Sequence, residues 1–361
     1  MKTPYALLRA AAWPGRLLRG RRRAAFDLSR VTRLWVHKPD HLGDAVLARP
    51  ALAMLRAALP RAEIRVACDP AAAPLLALDA PIAPEPWPSP FLGGTGSIRD
   101  YRRRARVFAP ELVVNLRYDV RDIALCHTLG VPFVVTYDHR GAAAWATHPG
   151  PPPLPDVPEA DNHVALLRAT LGLEPVAPAP LPLPENARRG AAQAWDETSA
   201  TGPKIVLHAA ARTPAKSWPA AHWRELTQLL HERFSARLAL IGEAADALLN
   251  RQIAAGLPSV RDWSGRFTLV ETAAVIQAAD LLIGIDSGPG HLARAVGAPV
   301  ISIMSGTNST RRWAPDASRA LTYLVTCAPC SRETCNVAGH PCLRGIEPRR
   351  VAEEAMKVLG R

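Results

Sequence analysis

The stretch Gly284–Thr307, GIDSGPGHLARAVGAPVISIMSGT, places a carboxylate, a hydroxyl and an imidazole within six residues of one another. An apolar run ends at Asp286. Ser287, Gly288, Pro289, Gly290 and His291 follow, and then an alanine-rich stretch of helical character. Serine is a good N-cap, and proline suits the first helical turn, where its missing donor costs nothing. Gly288 and Gly290 carry no side chain to block a close approach. The unpaired amides of Gly290 and His291, with the positive end of the helix dipole behind them, form a backbone anion site suited to a diphosphate. Asp286 repels phosphate, so its expected partner is a sugar hydroxyl. The plain alternative is an ordinary capped strand–helix turn.

Three further strand ends carry chemistry. In KPDHLGDAVLARPAL (38–52), Gly43 makes a turn and Asp44 stands at a helix start, as a cap or as a general base facing a cleft. In HAAARTPAKSWP (208–219), Lys216 lies on a polar loop, placed to meet phosphate as a point charge or to remain solvated. In LIGEAAD (240–246), Glu243 follows a strand, either to chelate a ribose diol or to sit in a first helical turn. Cys327, Cys330, Cys335 and Cys342, with His340 among them, are spaced to hold Zn²⁺ or an iron–sulfur cluster, or to remain reduced structural thiols. The cluster YRRRARV (101–107) offers Arg102, Arg103 and Arg104 to a phosphorylated acceptor, or to solvent.

Absent motifs narrow the chemistry. GGTGS (93–97) has no following lysine, which argues against a P-loop ATPase, and no complete G-x-G-x-x-G supports a dehydrogenase. No Asp-x-Asp pair offers itself to a divalent ion. The cation at a diphosphate must then come from Lys216 and the helix start, with no cofactor required.

These residues need elements to hold them. Short apolar runs alternate with helical patterns: 33–38, 62–68, 111–116 and 132–137 read as strands, with a helix over 44–59 and another over 159–172. The alternation resumes with strands at 204–210, 237–242, 280–285 and 299–304 and helices at 220–234, 270–279 and 348–359. Such alternation implies parallel sheets covered on both faces. The fold class is α/β, with two doubly wound Rossmann-like domains facing one cleft. The segments are a basic extension (1–32), an acceptor-side domain (33–185), a donor-binding domain (186–345) and a last helix (346–361). The proline-rich sequence on either side of 159–172 is connecting chain.

The net charge of +12 is concentrated: residues 1–33 hold nine Lys/Arg against Asp27 alone, a net +8. This argues against a nucleic-acid groove. With Tyr5, Leu7, Leu8, Trp13, Leu17 and Leu18 it fits a helix on an anionic membrane surface, or a solvated tail. No apolar run is long enough to span a bilayer, and the basic start, without a long apolar core or a cleavage site, is not expected to be a secretory signal. The chain is expected in the cytoplasm.

Taken together, HLGDAVLARPAL, HAAARTPAKSWPAAHW, GIDSGPGHLARAVGAPVISIMSGTNSTRRWAP and CNVAGHPCLRGIEPRRV resemble glycosyltransferase family 9, the lipopolysaccharide heptosyltransferases. The resemblance spans about residues 33–359. It implies a GT-B fold with the last helix packing back on the N-terminal domain. It implies an inverting, metal-independent transfer of heptose from ADP-heptose to a lipopolysaccharide core acceptor at the inner face of the cytoplasmic membrane. Asp44 matches the family's general base, Lys216 its phosphate-binding lysine, and Asp286, Ser287, Gly288 and His291 its donor turn. Glu243 matches the ribose-binding acid loosely. NSTRRWAP is longer and more basic than the family's usual form, so Arg311 and Arg312 point to a different sugar or acceptor. Other nucleotide-sugar chemistry, such as a UDP-sugar transferase or an epimerase, and a non-catalytic binder of anionic ligands, are the competing readings.

Overall fold

The computed structural model describes residues 26–360, except 80, 199, 200 and 258 and the side chains of 142 and 143. The membrane-surface helix expected near the N-terminus lies outside the described residues. No helix among the described residues is long and apolar enough to cross a membrane.

The chain divides into two units, Met1–Ala179 and Pro180–Arg361, each built on a six-stranded parallel sheet. The first holds β1 (Arg33–Lys38), β2 (Glu63–Cys68), β3 (Ile82–Pro86), β4 (Leu112–Asn115), β5 (Phe133–Tyr137) and β6 (His148–Gly150), in the order β3-β2-β1-β4-β5-β6. The second holds β7 (Lys204–His208), β8 (Arg237–Leu240), β9 (Val260–Asp262), β10 (Leu281–Ile285), β11 (Val300–Ile303) and β12 (Ala320–Leu321), in the order β12-β11-β10-β7-β8-β9. Counted within each unit, the two orders are the same doubly wound order. The strand sequence reverses between β1 and β4, and again between β7 and β10, and ligands bind beyond the carboxyl ends of strands at such points.

The central strands are apolar throughout because both faces are covered. Every residue of β4 and of β10 is buried. Leu34, Val36, Leu55 and Ile64 pack one face of the first sheet, and Trp35, Tyr101 and Val113 the other. In the second unit Leu207, Leu226, Leu230 and Ile283 form the core. The last helix, Pro348–Leu359, expected to pack back on the N-terminal domain, instead contributes Val351, Ala352 and Ala355 to this second core, where its apolar stripe is buried.

Two differences from the sequence reading have clear causes. The helix expected over 44–59 is two helices, Leu42–Leu47 and Arg49–Ala58. Pro50 has no N–H for the carbonyl of Val46, so the ladder breaks there. The strands β3, β6, β9 and β12 carry too little apolar pattern to be read, and all four are sheet edges. Two contain proline, which a parallel sheet tolerates only at its edge.

Candidate active site

At the first reversal point, the chain leaving β1 and β4 encloses a pocket of about 240 Å³ whose lining includes Lys38, Asp40, Asp44, Arg117, Tyr118 and Glu159. Asp44 sits in the first turn of Leu42–Leu47, where the helix dipole favours its charge and no side chain of the N-cap, His41, competes for the amides. After β4, Asn115 Oδ1 accepts from the amide of Arg117 (2.9 Å), an Asx-type bond that turns the chain towards the pocket.

Charged groups crowd this pocket. Lys38 Nζ lies 2.8 Å from Asp40 Oδ2, and Arg117 bridges Asp40 and Asp122, with Nε 2.6 Å from Asp122 Oδ2. Burial pulls the Lys38 ammonium below its usual range, while the nearby charges of Asp44 and Glu159 oppose that pull. Burial disfavours charge on Asp122, but its bonds to His37 and Arg117 outweigh this and hold its carboxyl low. His37 is pushed down by burial despite Asp122, so it is neutral near pH 7.

At the second reversal point, Asp286 ends β10 and Ser287 opens the helix Gly288–Val296. Lys216 Nζ is 2.6 Å from Asp286 Oδ2, and Asn308 Nδ2 donates to the same oxygen at 2.9 Å. Ser287 occupies the N-cap position, but its hydroxyl does not cap. It bonds the carbonyl of Ile285 (3.1 Å) and Nδ1 of His208 (3.0 Å) instead. The Ser287 hydroxyl therefore leaves the helix start uncovered, but the Gly290 amide, expected to be unpaired, donates to the carbonyl of Ser287 (3.3 Å) because the first turn closes on the N-cap residue's own carbonyl. His291 is buried in the first turn, and burial pulls its imidazole down to about 4 against the opposing charge of Asp286. Gly290 has a packing reason as well: a Cβ there would come within 2.9 Å of Pro315 Cγ.

The remaining expected residues lie elsewhere. Glu243 is exposed beyond β8, where its amide donates to Asp246 Oδ2 (2.7 Å). Arg102, Arg103 and Arg104 lie on the helix Ile98–Phe108 and do not line the pocket of Asp44. Arg103 pairs with Asp100 (2.5 Å), Arg104 with Asp100 and Glu85, and Arg102 reaches the carbonyl of Thr128. Arg311 and Arg312 stand on the short helix Thr310–Trp313. Cys327 is exposed, Cys330 and Cys335 are half-buried and Cys342 is buried, all as free thiols. Among the described residues, no three or more His, Cys, Asp or Glu side chains are assembled to hold a metal ion.

The sequence reading passed over Lys38, Asp40, Arg117, Asn308 and His208. The signal was available for two: Lys38 and Asp40 stand in the same stretch as Asp44. Arg117, His208 and Asn308 required the strand order, which alone says that the ends of β4, β7 and β11 flank the strands already chosen.

Residues 112–340 match the model of glycosyltransferase family 9 (heptosyltransferase). The chain is 37% identical over 122 residues to lipopolysaccharide heptosyltransferase 1 of Pseudomonas aeruginosa, a match covering 33% of this chain and 34% of that protein. It is 27% identical over 290 residues to lipopolysaccharide heptosyltransferase 3 of Escherichia coli, covering 74% and 81%. The matched stretch is thus about a third of the first relative's length and four fifths of the second's. The solved structure of E. coli ADP-heptose lipopolysaccharide heptosyltransferase II superposes with a TM-score of 0.72 at 22% identity, covering 91% of this chain and 98% of that one. That likeness shows a shared GT-B fold. With the family model matched over more than half its length, the chain belongs to glycosyltransferase family 9.

Proposed function

We propose that the protein transfers a heptose from ADP-heptose to a sugar hydroxyl of a lipopolysaccharide core acceptor, with inversion at the anomeric carbon and Asp44 as general base. The observation that carries this reading is Asp44 itself. It is an acid at a helix start, on a polar pocket at the reversal point of the first sheet. Asp44 takes the proton of the acceptor hydroxyl as that oxygen attacks the anomeric carbon and the bond to the diphosphate breaks. Negative charge gathers on the departing ADP. Lys216 and the backbone N–H groups of Gly288 and His291 receive it, and preorganised donors of this kind are typically worth about 2.7–4 kcal/mol of barrier each. Because these groups supply the positive charge, the step calls on no metal ion.

Asp286, Ser287, Gly290 and His291 are assigned to the donor, and Glu243 to its ribose. The Glu243 assignment is supported by its exposed place beyond the strand next to β7. The basic segment 1–32 is assigned to the anionic inner face of the cytoplasmic membrane, where the acceptor lipid resides.

The test is Asp44→Asn, assayed by ADP release and by donor binding. The expected result is loss of turnover with ADP-heptose binding kept. Undiminished turnover removes Asp44 from the base role. Binding of UDP or GDP in place of ADP keeps the fold and moves the donor.

A further inference from the structure

A line of polar side chains runs behind the Asp44 pocket. Trp35 Nε1 donates to Tyr101 Oη at 2.8 Å, Tyr101 Oη and His37 Nδ1 are 2.6 Å apart, and His37 Nε2 is 2.8 Å from Asp122 Oδ1. Arg117 Nε donates to Asp122 Oδ2 at 2.6 Å. The guanidinium also pairs with Asp40, whose other oxygen faces Lys38 at 2.8 Å. Trp35, His37, Tyr101 and Asp122 are sealed from solvent.

The donor and acceptor inventory fixes the protons. An indole only donates and a carboxylate only accepts. His37 Nε2 must carry hydrogen, since a bare nitrogen would set one lone pair against another on Asp122. The neutral ring then accepts at Nδ1, and Tyr101 O–H is the donor that fills it. The hydrogen bonds therefore point one way, from Trp35 to Asp122. Beyond Asp122 the charges alternate: Asp122 negative, Arg117 positive, Asp40 negative, Lys38 positive.

Such a line is costly to build. A well-packed apolar core is often as stable as buried ion pairs, or more so. Stability alone therefore does not account for four charges leading from the core into the pocket. What the line does is fix the place of one ammonium. Lys38 ends it, within electrostatic reach of Asp44 and Glu159.

We propose that Arg117 is a positioning residue for the transfer: held by Asp122, His37 and Tyr101, it fixes Asp40 and so seats the Lys38 ammonium beside Asp44. The seated ammonium keeps Asp44 ionised and oriented until the acceptor proton arrives. When Asp44 is neutralised by that proton, Lys38 remains paired with Asp40. The inference rests on Asp44 being the base.

The experiment compares Arg117→Gln, Asp122→Asn and Tyr101→Phe with the wild type and Asp44→Asn. Transfer from ADP-heptose to core lipopolysaccharide stripped of the heptose is followed well below each unfolding midpoint. The expected result is a fall in kcat per folded molecule that weakens along the line. It should be about 100-fold for Arg117→Gln, as a misplacement of about 1 Å costs, less for Asp122→Asn and least for Tyr101→Phe, with donor KM unchanged throughout. Arg117→Lys should not restore kcat, because one ammonium cannot reach both carboxylates as a guanidinium does. If Arg117→Gln does not fold, Tyr101→Phe, which lacks one oxygen, carries the test. Lower midpoints with unchanged kcat overturn the inference and leave Asp44 as the base. Turnover by Asp44→Asn overturns the base reading instead.

Discussion

Lys216 and Asp286, assigned from sequence to a phosphate and to a sugar hydroxyl, are each other's partner: Nζ and Oδ2 are 2.6 Å apart. If Lys216 holds the donor phosphate as proposed, that phosphate competes with Asp286 for one ammonium. Asn308 donates to the same carboxylate oxygen at 2.9 Å, a bond that does not depend on Lys216.

Lys216→Met should therefore weaken ADP binding by about 1.5–3 kcal/mol, the range for a hydrogen bond to a charged group. Asp286→Asn, which frees the ammonium, should leave ADP binding intact or tighten it. Calorimetric titration without metal decides this. Equal affinity of Lys216→Met and the wild type would remove Lys216 from phosphate binding.

His208 and His291 give a pH signature. Burial draws both down to about 4, from an ordinary value near 6.5. The unfolded chain binds protons between those values that the folded chain refuses, so stability is full above about pH 6.5 and is lost as pH falls towards 4. The slope should approach about 1.4 kcal/mol per pH unit for each histidine. Urea unfolding across this window, with His208→Gln and His291→Gln each flattening the curve, is the measurement. Unchanged slopes in both variants would refute it.

Gly290→Ala should lower stability by about 1–3 kcal/mol, the usual cost of overpacking. Its new methyl meets Pro315 at 2.9 Å. Pro315→Ala in the same chain should recover much of the loss, as coupled neighbours do. A double variant no more stable than Gly290→Ala would point to helix-start geometry instead.

Arg49 is buried, with Nε and Nη2 bonded to Asp79 at 2.5 and 2.7 Å and Nη2 bonded to the carbonyl of Ala179 at 2.7 Å. Arg49→Met should destabilise the first unit by about 1–3 kcal/mol, the range for a partner left unsatisfied, because Asp79 is 20% exposed and regains some water. Adding Asp79→Leu should restore part of this. Thermal unfolding of the single and double variants tests both statements.

The central strands were legible because a parallel strand covered on both faces has to be apolar, as Leu281–Ile285 is. Asp44 and the turn from Asp286 to His291 were legible because caps, glycines and prolines mark the local step from strand to helix. The break at Pro50 should have been read from the same rules. What stayed hidden depends on order. Nothing local tells Arg117 that its strand lies beside β1, or tells His208 that Ser287 stands 3.0 Å away. The Asp122–His37 pair joins residues 85 apart in sequence, and only the sheet brings them together.

The prolines of the first sheet's edge strands have a consequence for how molecules of this protein meet. The amide of Trp87 donates inward to the carbonyl of Cys68, and β3 runs parallel to β2. Amides alternate sides along a strand, so positions 84 and 86 face outward, and both are proline. At the opposite edge, the amide of Asp138 donates to the carbonyl of Gly150, and the same alternation turns Pro149 outward. An approaching strand thus finds carbonyls but no N–H at these three positions. Both rims of the sheet are chemically closed to edge-to-edge pairing, which protects a long parallel sheet from aggregation while it forms.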